Sequence, residues 1–116
     1  MGAERFSEEY TLATTVKETF SAAVESALYY YGHAGYTGSL AEKDSYVELL
    51  LPEGVDLYQA DRDFGAYPFV LTEWMLSMPS YQIDQAYSAY DDKWGPALAL
   101  VSHDKTKVIF CGYASS

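Results

Sequence analysis

Apolar positions recur every three or four residues in TTVKETFSAAVESALYYYG, where Val16, Phe20, Ala23, Val24, Ala27, Leu28 and Tyr31 fall on one side of a helix. Thr15 and Glu18 fit a capping box at its start and Gly32 fits a left-handed stop, so the pattern predicts a helix over 15–31. Beyond Gly32 the period shortens to about two. Tyr36, Gly38 and Leu40 alternate with Thr37, Ser39 and Ala41, and SYVELLL follows the Glu42-Lys43-Asp44 triplet. That alternation predicts a β-hairpin from Tyr36 to Leu51, ended by Pro52, Glu53 and Gly54.

In the middle of the chain, VDLYQADRDFGAYPF suggests a short helix before Gly65. Pro68 suits the first turn of a second helix through FVLTEWMLSM, which Pro79 ends or kinks. SYQIDQAYSAY then sets Ile83, Ala86, Tyr87 and Tyr90 on one helical face. ALALVSH and KVIFCGY are apolar on both faces and joined through Asp104, Lys105 and Thr106, which predicts a hairpin central in its sheet. Cys111 lies within it and reads as a buried small hydrophobe. The order α-β-β-α-β-β predicts an α+β fold. The expectation is a single domain over 1–116, with an antiparallel sheet of about four strands and helices on one side. Residues 1–12 are read as a less ordered lead-in.

Length and charge narrow the functional classes. A chain of 116 residues, 49% hydrophobic, is one domain that buries roughly two thirds of its unfolded surface without a staple. One cysteine forms no internal disulfide. Seventeen acids against seven bases give a net charge of −10. Phosphate binding needs clustered Lys and Arg, so direct contact with nucleic acid or an anionic membrane is not expected. The start, MGAERFSEEY, lacks a signal peptide's apolar run, and no run approaches the roughly 20 residues that span a bilayer. The expected setting is cytoplasmic.

Candidate chemistry is sparse. GHAGYTG follows a helix and precedes a strand, the reverse of a phosphate-binding loop, and its glycines read as turn residues. The alternative reading, a small enzyme or nucleotide-binding domain built on the glycine-rich loop 32–44, rests on His33, Tyr36, Thr37, Glu42 and Lys43. Two histidines and one cysteine, far apart, show no metal-ligand spacing, and no nucleophile motif is present. No catalytic residue, metal or cofactor is therefore expected, and the reading leans away from an enzyme. Twelve tyrosines and two tryptophans are more informative, because such rings anchor interfaces. Successive residues on a helix lie about 100° apart, so at least one of Tyr29, Tyr30 and Tyr31 faces solvent or a partner. Tyr29, Tyr30, Tyr36 and Trp94 are the aromatic contact candidates. Glu53, Asp56, Asp61, Asp63, Asp91 and Asp92 are the candidates for one acidic face. Together they predict a binding module for a basic protein surface, with a homodimer through a strand edge compatible with it.

The blocks GYTGSLAEKDSY, DDKWGPA and FCGYASS resemble short uncharacterised proteins of bacteriophages and their prophage relatives. The resemblance covers about a third of the chain and transfers no functional residue. What it implies is a setting inside a bacterium. There, a small acidic protein can block the DNA-binding surface of a host defence nuclease by imitating phosphates, in the anti-CRISPR or anti-restriction manner. The partner would then be a nucleic-acid-binding host protein.

Overall fold

In the computed structural model, which describes residues 2–116, the chain opens on a strand rather than a loose lead-in. β1 (Ala3–Thr11) is followed by α1 (Val16–Tyr31), a single 3-10 turn (Leu40–Glu42) and β2 (Tyr46–Leu50). Three helices come next: α2 (Leu57–Ala66), α3 (Glu73–Leu76) and α4 (Ser80–Asp91). β3 (Ala97–Val101) and β4 (Lys107–Ser115) close the fold. The spatial order is β1-β4-β3-β2, with both pairs involving β4 antiparallel and β2 parallel to β3.

The α+β class and the single four-stranded domain match expectation, while the sheet is mixed. β2 and β3 are separated by three helices, and a connection of that length lets a parallel partner form where a tight hairpin cannot. The predicted hairpin over 36–51 gives way to one strand. Residues 36–42 make bends and the 3-10 turn, because Gly38 at φ 69° and Tyr36 at φ 58° turn the chain out of extended geometry.

Helices cover both faces of the sheet, not one. Phe20, Ala23 and Ala27 of α1 pack with Leu40 on Phe6, Ala97, Ala99 and Phe110. Phe64, Ile83, Ala86 and Tyr90 pack with Trp74 on Leu49, Leu98, Leu100, Ile109 and Cys111. A central strand between two helical layers is apolar on both faces, which is why ALALV is wholly buried. α1 keeps its predicted ends: Thr15 Oγ1 accepts from Glu18 N, and Gly32, at φ 87°, donates its N–H to Leu28 O. The helix predicted through Phe69–Met78 shrinks to α3, leaving Phe69, Val70 and Leu71 exposed.

β1 was missed because its sequence shows no strand alternation of hydrophobicity. Of AERFSEEYT only Phe6 is buried, and the strand holds by pairing with β4 along its whole length, from Ala3↔Ser115 to Thr11↔Lys107. On its α2 side, Arg5 reaches toward Asp61 and Tyr90, and Glu9 accepts from Tyr58 Oη at 2.9 Å.

Candidate binding surface

The glycine-rich loop spends its polar groups on itself. Glu42 accepts from Tyr36 N at 3.1 Å, Thr37 N at 3.2 Å and Thr37 Oγ1 at 2.7 Å. Those bonds to Thr37 and Tyr36 hold its carboxyl below the usual range, against the opposing pull of desolvation. Lys43 is 2% exposed, and its ammonium donates to the carbonyls of Asp92 at 3.0 Å, Lys93 at 3.4 Å and Gly95 at 3.0 Å. Burial lowers its pKa, opposed by Asp92. Lys43 therefore clamps the approach to β2 onto the turn between α4 and β3. Of the ligand-loop candidates, His33 is exposed, and Thr37, Glu42 and Lys43 are committed to structure.

Tyr36 is different. It occupies the left-handed region, which costs a bulky L-residue about 1–2 kcal/mol, and Glu42 holds both neighbouring amides to keep it there. The result is a ring displayed on the surface, 52% exposed and edge-to-face with Trp94 at 6.1 Å. Trp94 is itself 63% exposed, and its backbone N–H donates to Asp92 Oδ1 at 2.9 Å, with Lys93 Nζ 5.3 Å from its ring.

Beside this pair runs a groove of about 580 Å³ between α4 and β2. Asp84, Gln85, Ser88 and Asp92 form its polar wall, and Val47, Ala89 and Pro96 its apolar one. Asp84, Ser88 and Asp92 lie four residues apart, so α4 turns them to one side. Both carboxylates already accept one hydrogen bond, Asp84 from Tyr67 Oη at 2.8 Å. Each keeps further lone pairs for a donor, and no base lines the groove. Asp84, Gln85 and Ser88 were not singled out from sequence, where the apolar face of the same helix dominated the pattern. Their four-residue polar spacing was the available signal.

The six predicted acids do not form one face. Asp61 is only 3% exposed, lying beside the Cys111 thiol and facing Arg5, so it leaves the surface altogether. Asp63 accepts from Trp74 Nε1 at 2.8 Å, and Asp56 caps α2 through Tyr58 N and Gln59 N. Glu53 and Asp56 follow the carboxyl end of β2, whereas Asp91 and Asp92 precede the amino end of the parallel β3. A five-residue strand separates those ends by roughly 15 Å. Of the six, only Asp92 is bonded to the aromatic pair, through Trp94 N, and it shares the groove with Asp84, while Asp91 lies beside Tyr87. Of the other aromatic candidates, Tyr29 and Tyr30 are exposed at the end of α1 and contact each other edge-to-face. Tyr31 is exposed as well.

A second cleft, about 640 Å³, lies at the carboxyl ends of β2 and β3 between Glu53, Asp56, Ser102, His103 and Asp104. Its groups are largely engaged. Asp104 accepts from Ser102 Oγ, Thr106 N and Thr106 Oγ1, and His103 Nδ1 lies 3.3 Å from Leu51 O. Among the described residues no cluster of His, Cys, Asp and Glu suits a metal ion, and no helix is long and apolar enough to cross a membrane. No family model, curated protein or solved structure matches this chain.

Proposed function

We propose that this protein is a non-enzymatic binding module for a basic protein surface. It would engage the partner with Tyr36 and Trp94 as aromatic anchors and with Asp84, Asp91 and Asp92 supplying charge. The observation that supports this most is the exposed Tyr36–Trp94 pair, held by a strained backbone and by Glu42 and Asp92 carboxylates beside an acidic groove. A rigid ring loses little entropy on binding, and a base meeting an unpaired carboxylate adds specificity.

The bacteriophage resemblance indicates where to look, namely among nucleic-acid-binding proteins of a bacterial host. Within that setting we favour the general basic-surface reading over an extended phosphate mimic. An imitation of the phosphate array needs acids in a continuous exposed row, whereas Asp61 is buried and Glu53 and Asp56 lie at the opposite end of β2 from Asp91 and Asp92. The glycine-loop ligand reading is not carried forward, since Glu42 and Lys43 are already bonded within the fold.

Affinity capture from a bacterial lysate tests the reading, with Trp94→Ala and Asp84→Asn/Asp91→Asn proteins alongside. The expected outcome is a defined basic protein retained at low salt, reduced at high salt and lost with Trp94→Ala. Retention of the same proteins by all three baits would overturn it.

A further inference from the structure

β2 ends the sheet, and its outer edge is open. Ala97 N donates to Ser45 O at 2.9 Å, and Leu51 N donates to Val101 O at 2.9 Å. In a parallel ladder, alternate residues bond the same neighbour. Ser45, Val47, Leu49 and Leu51 therefore face β3, and the N–H and C=O groups of Tyr46, Glu48 and Leu50 point away from the sheet.

Grooves flank this edge on both sides. On the α4 side, the groove of Asp84, Ser88 and Asp92 rises beside Val47. On the α1 side, Phe20, Ser21 and Tyr46 line a groove of about 340 Å³, which adjoins another bounded by Val24 and Leu28. A strand added to β2 would send alternate side chains into these two environments. One is acidic with no base, and the other is mainly apolar with an aromatic floor of Phe20 and Tyr46, whose rings lie 4.9 Å apart.

We infer that an extended segment of a partner protein, with Lys or Arg alternating with apolar residues, adds to β2 as a fifth strand. This rests on the basic-partner reading and gives it a binding mode. Charge selects the occupant. Asp84 and Asp92 face one side, Asp44 and Glu25 border the other, and Lys17 is the single exposed base beside them. A second copy of this chain fits poorly, because each carries −10 and a two-fold pairing centred on β2 sets Glu48 against Glu48.

The test uses the full chain and a ten-residue peptide of alternating lysine and valine, with a glutamate–valine peptide as its counterpart. Binding is read by fluorescence polarisation and by amide NMR shifts. The lysine–valine peptide is expected to shift the amides of Tyr46, Glu48 and Leu50. Glu48→Pro removes one outward N–H without touching the β3 ladder, and it should weaken binding by about tenfold or more. Asp84→Asn/Asp92→Asn, which keeps one oxygen at each position for Tyr67 Oη and Trp94 N, should weaken it by about threefold to tenfold, and less at high salt. A circular dichroism spectrum and melting curve of Glu48→Pro confirm that it folds. If that variant does not fold, the Tyr46, Glu48 and Leu50 shifts in the parent protein decide the matter.

Binding that shifts residues around Tyr36 and Trp94 but not β2, and that survives Glu48→Pro, would overturn strand addition and leave the basic-partner reading standing. Absence of binding, or equal binding of the glutamate–valine peptide, would overturn the inference. So would a dimer in sedimentation that Glu48→Pro dissociates, because the edge would then be filled by a second copy.

Discussion

The two edges of this sheet solve the same problem differently. β1 is nine residues long, fully paired on its inner side, and carries Glu4, Arg5, Glu8 and Glu9 along its length. Charges spaced along an edge discourage another strand from docking there. β2 is five residues long and carries one charge, Glu48, and grooves flank it on both sides. β1 is guarded by its own sequence, whereas β2 is held in place by the rest of the molecule and left open. An edge that is rigid, short and weakly charged is suited to recognition, and one that is long and charged is suited to staying alone.

The largest expected effect breaks β2 from within. Val47 and Glu48 are adjacent, but only Val47 faces β3, with its partner Leu98 in register. Proline at 47 removes a ladder hydrogen bond and should cost about 3 kcal/mol or more. Proline at 48 should cost about 1 kcal/mol or less, since its missing N–H faces outward. Urea unfolding of the two variants measures the difference, and equal costs would mean that the phase of the strand has been misassigned.

Next in size is the clamp that fixes β2 from outside. Lys43→Ala strips three carbonyls of their common donor in a buried place and should cost about 2–4 kcal/mol. Lys43→Met refills the volume and restores no donor, so it should recover only part of the loss. Thermal melts of both variants separate packing from hydrogen bonding.

How far these edges were legible follows from the physics of each element. α1 announced itself because one helix face is buried against a sheet, which imposes the 3.6-residue period. β3 and β4 were legible as continuous apolar runs because both faces are covered. β1 was silent, since a strand held mainly by backbone pairing needs no hydrophobic alternation, and AERFSEEYT shows none. The parallel pairing of β2 was hidden for another reason. Nothing in YVELL distinguishes a parallel neighbour from an antiparallel one, and the crossover was masked when residues 36–42 were read as a first strand. For the site, Tyr36, Trp94 and Asp92 were visible by type. Their convergence was not, because it depends on Lys43 joining two segments about fifty residues apart.

Alkaline pH should act on the two edges with opposite sign. Tyr10 of β1 is pushed up to about 12, by burial first and then by Glu8. An unfolded tyrosine loses its proton near 10 while the folded one keeps it, so the folded state binds more protons. Stability from Tyr10 is complete below pH 10 and declines as pH rises toward 12. Lys43 runs the other way. Its folded pKa lies below 10.5, so the unfolded state binds more protons between that lower pKa and 10.5, and its contribution grows as pH rises through that lower window. Tyr10→Phe should flatten the decline between pH 10 and 12, and Lys43→Met should remove the rise that precedes it below pH 10.5. Denaturant titrations at pH 8, 10 and 11 measure both slopes. A Tyr10→Phe curve parallel to the parent would break the assignment.

The smallest effect sharpens the comparison most. Tyr36 and Lys105 are the two non-glycine residues at positive φ among those described, at 58° and 62°. Lys105 sits in the turn from β3 to β4, where Leu12 N donates to Thr106 O at the end of β1. Tyr36 sits in the loop that leads to β2. Replacing either with glycine relieves the left-handed strain, offset in part by the greater freedom of glycine in the unfolded chain, for a net gain of about 0.5–1 kcal/mol. Stability should therefore rise in both variants, by less at Tyr36, where loss of the edge-to-face contact with Trp94 takes back part of the gain. Function should separate them. Lys105→Gly touches nothing on the binding side, whereas Tyr36→Gly deletes the ring that meets Trp94. A protein that becomes more stable and binds its basic partner less well would show that the strain at Tyr36 is kept for contact. If Tyr36→Gly gained stability and kept full partner affinity, the aromatic pair would reduce to a loop conformation with no role in recognition.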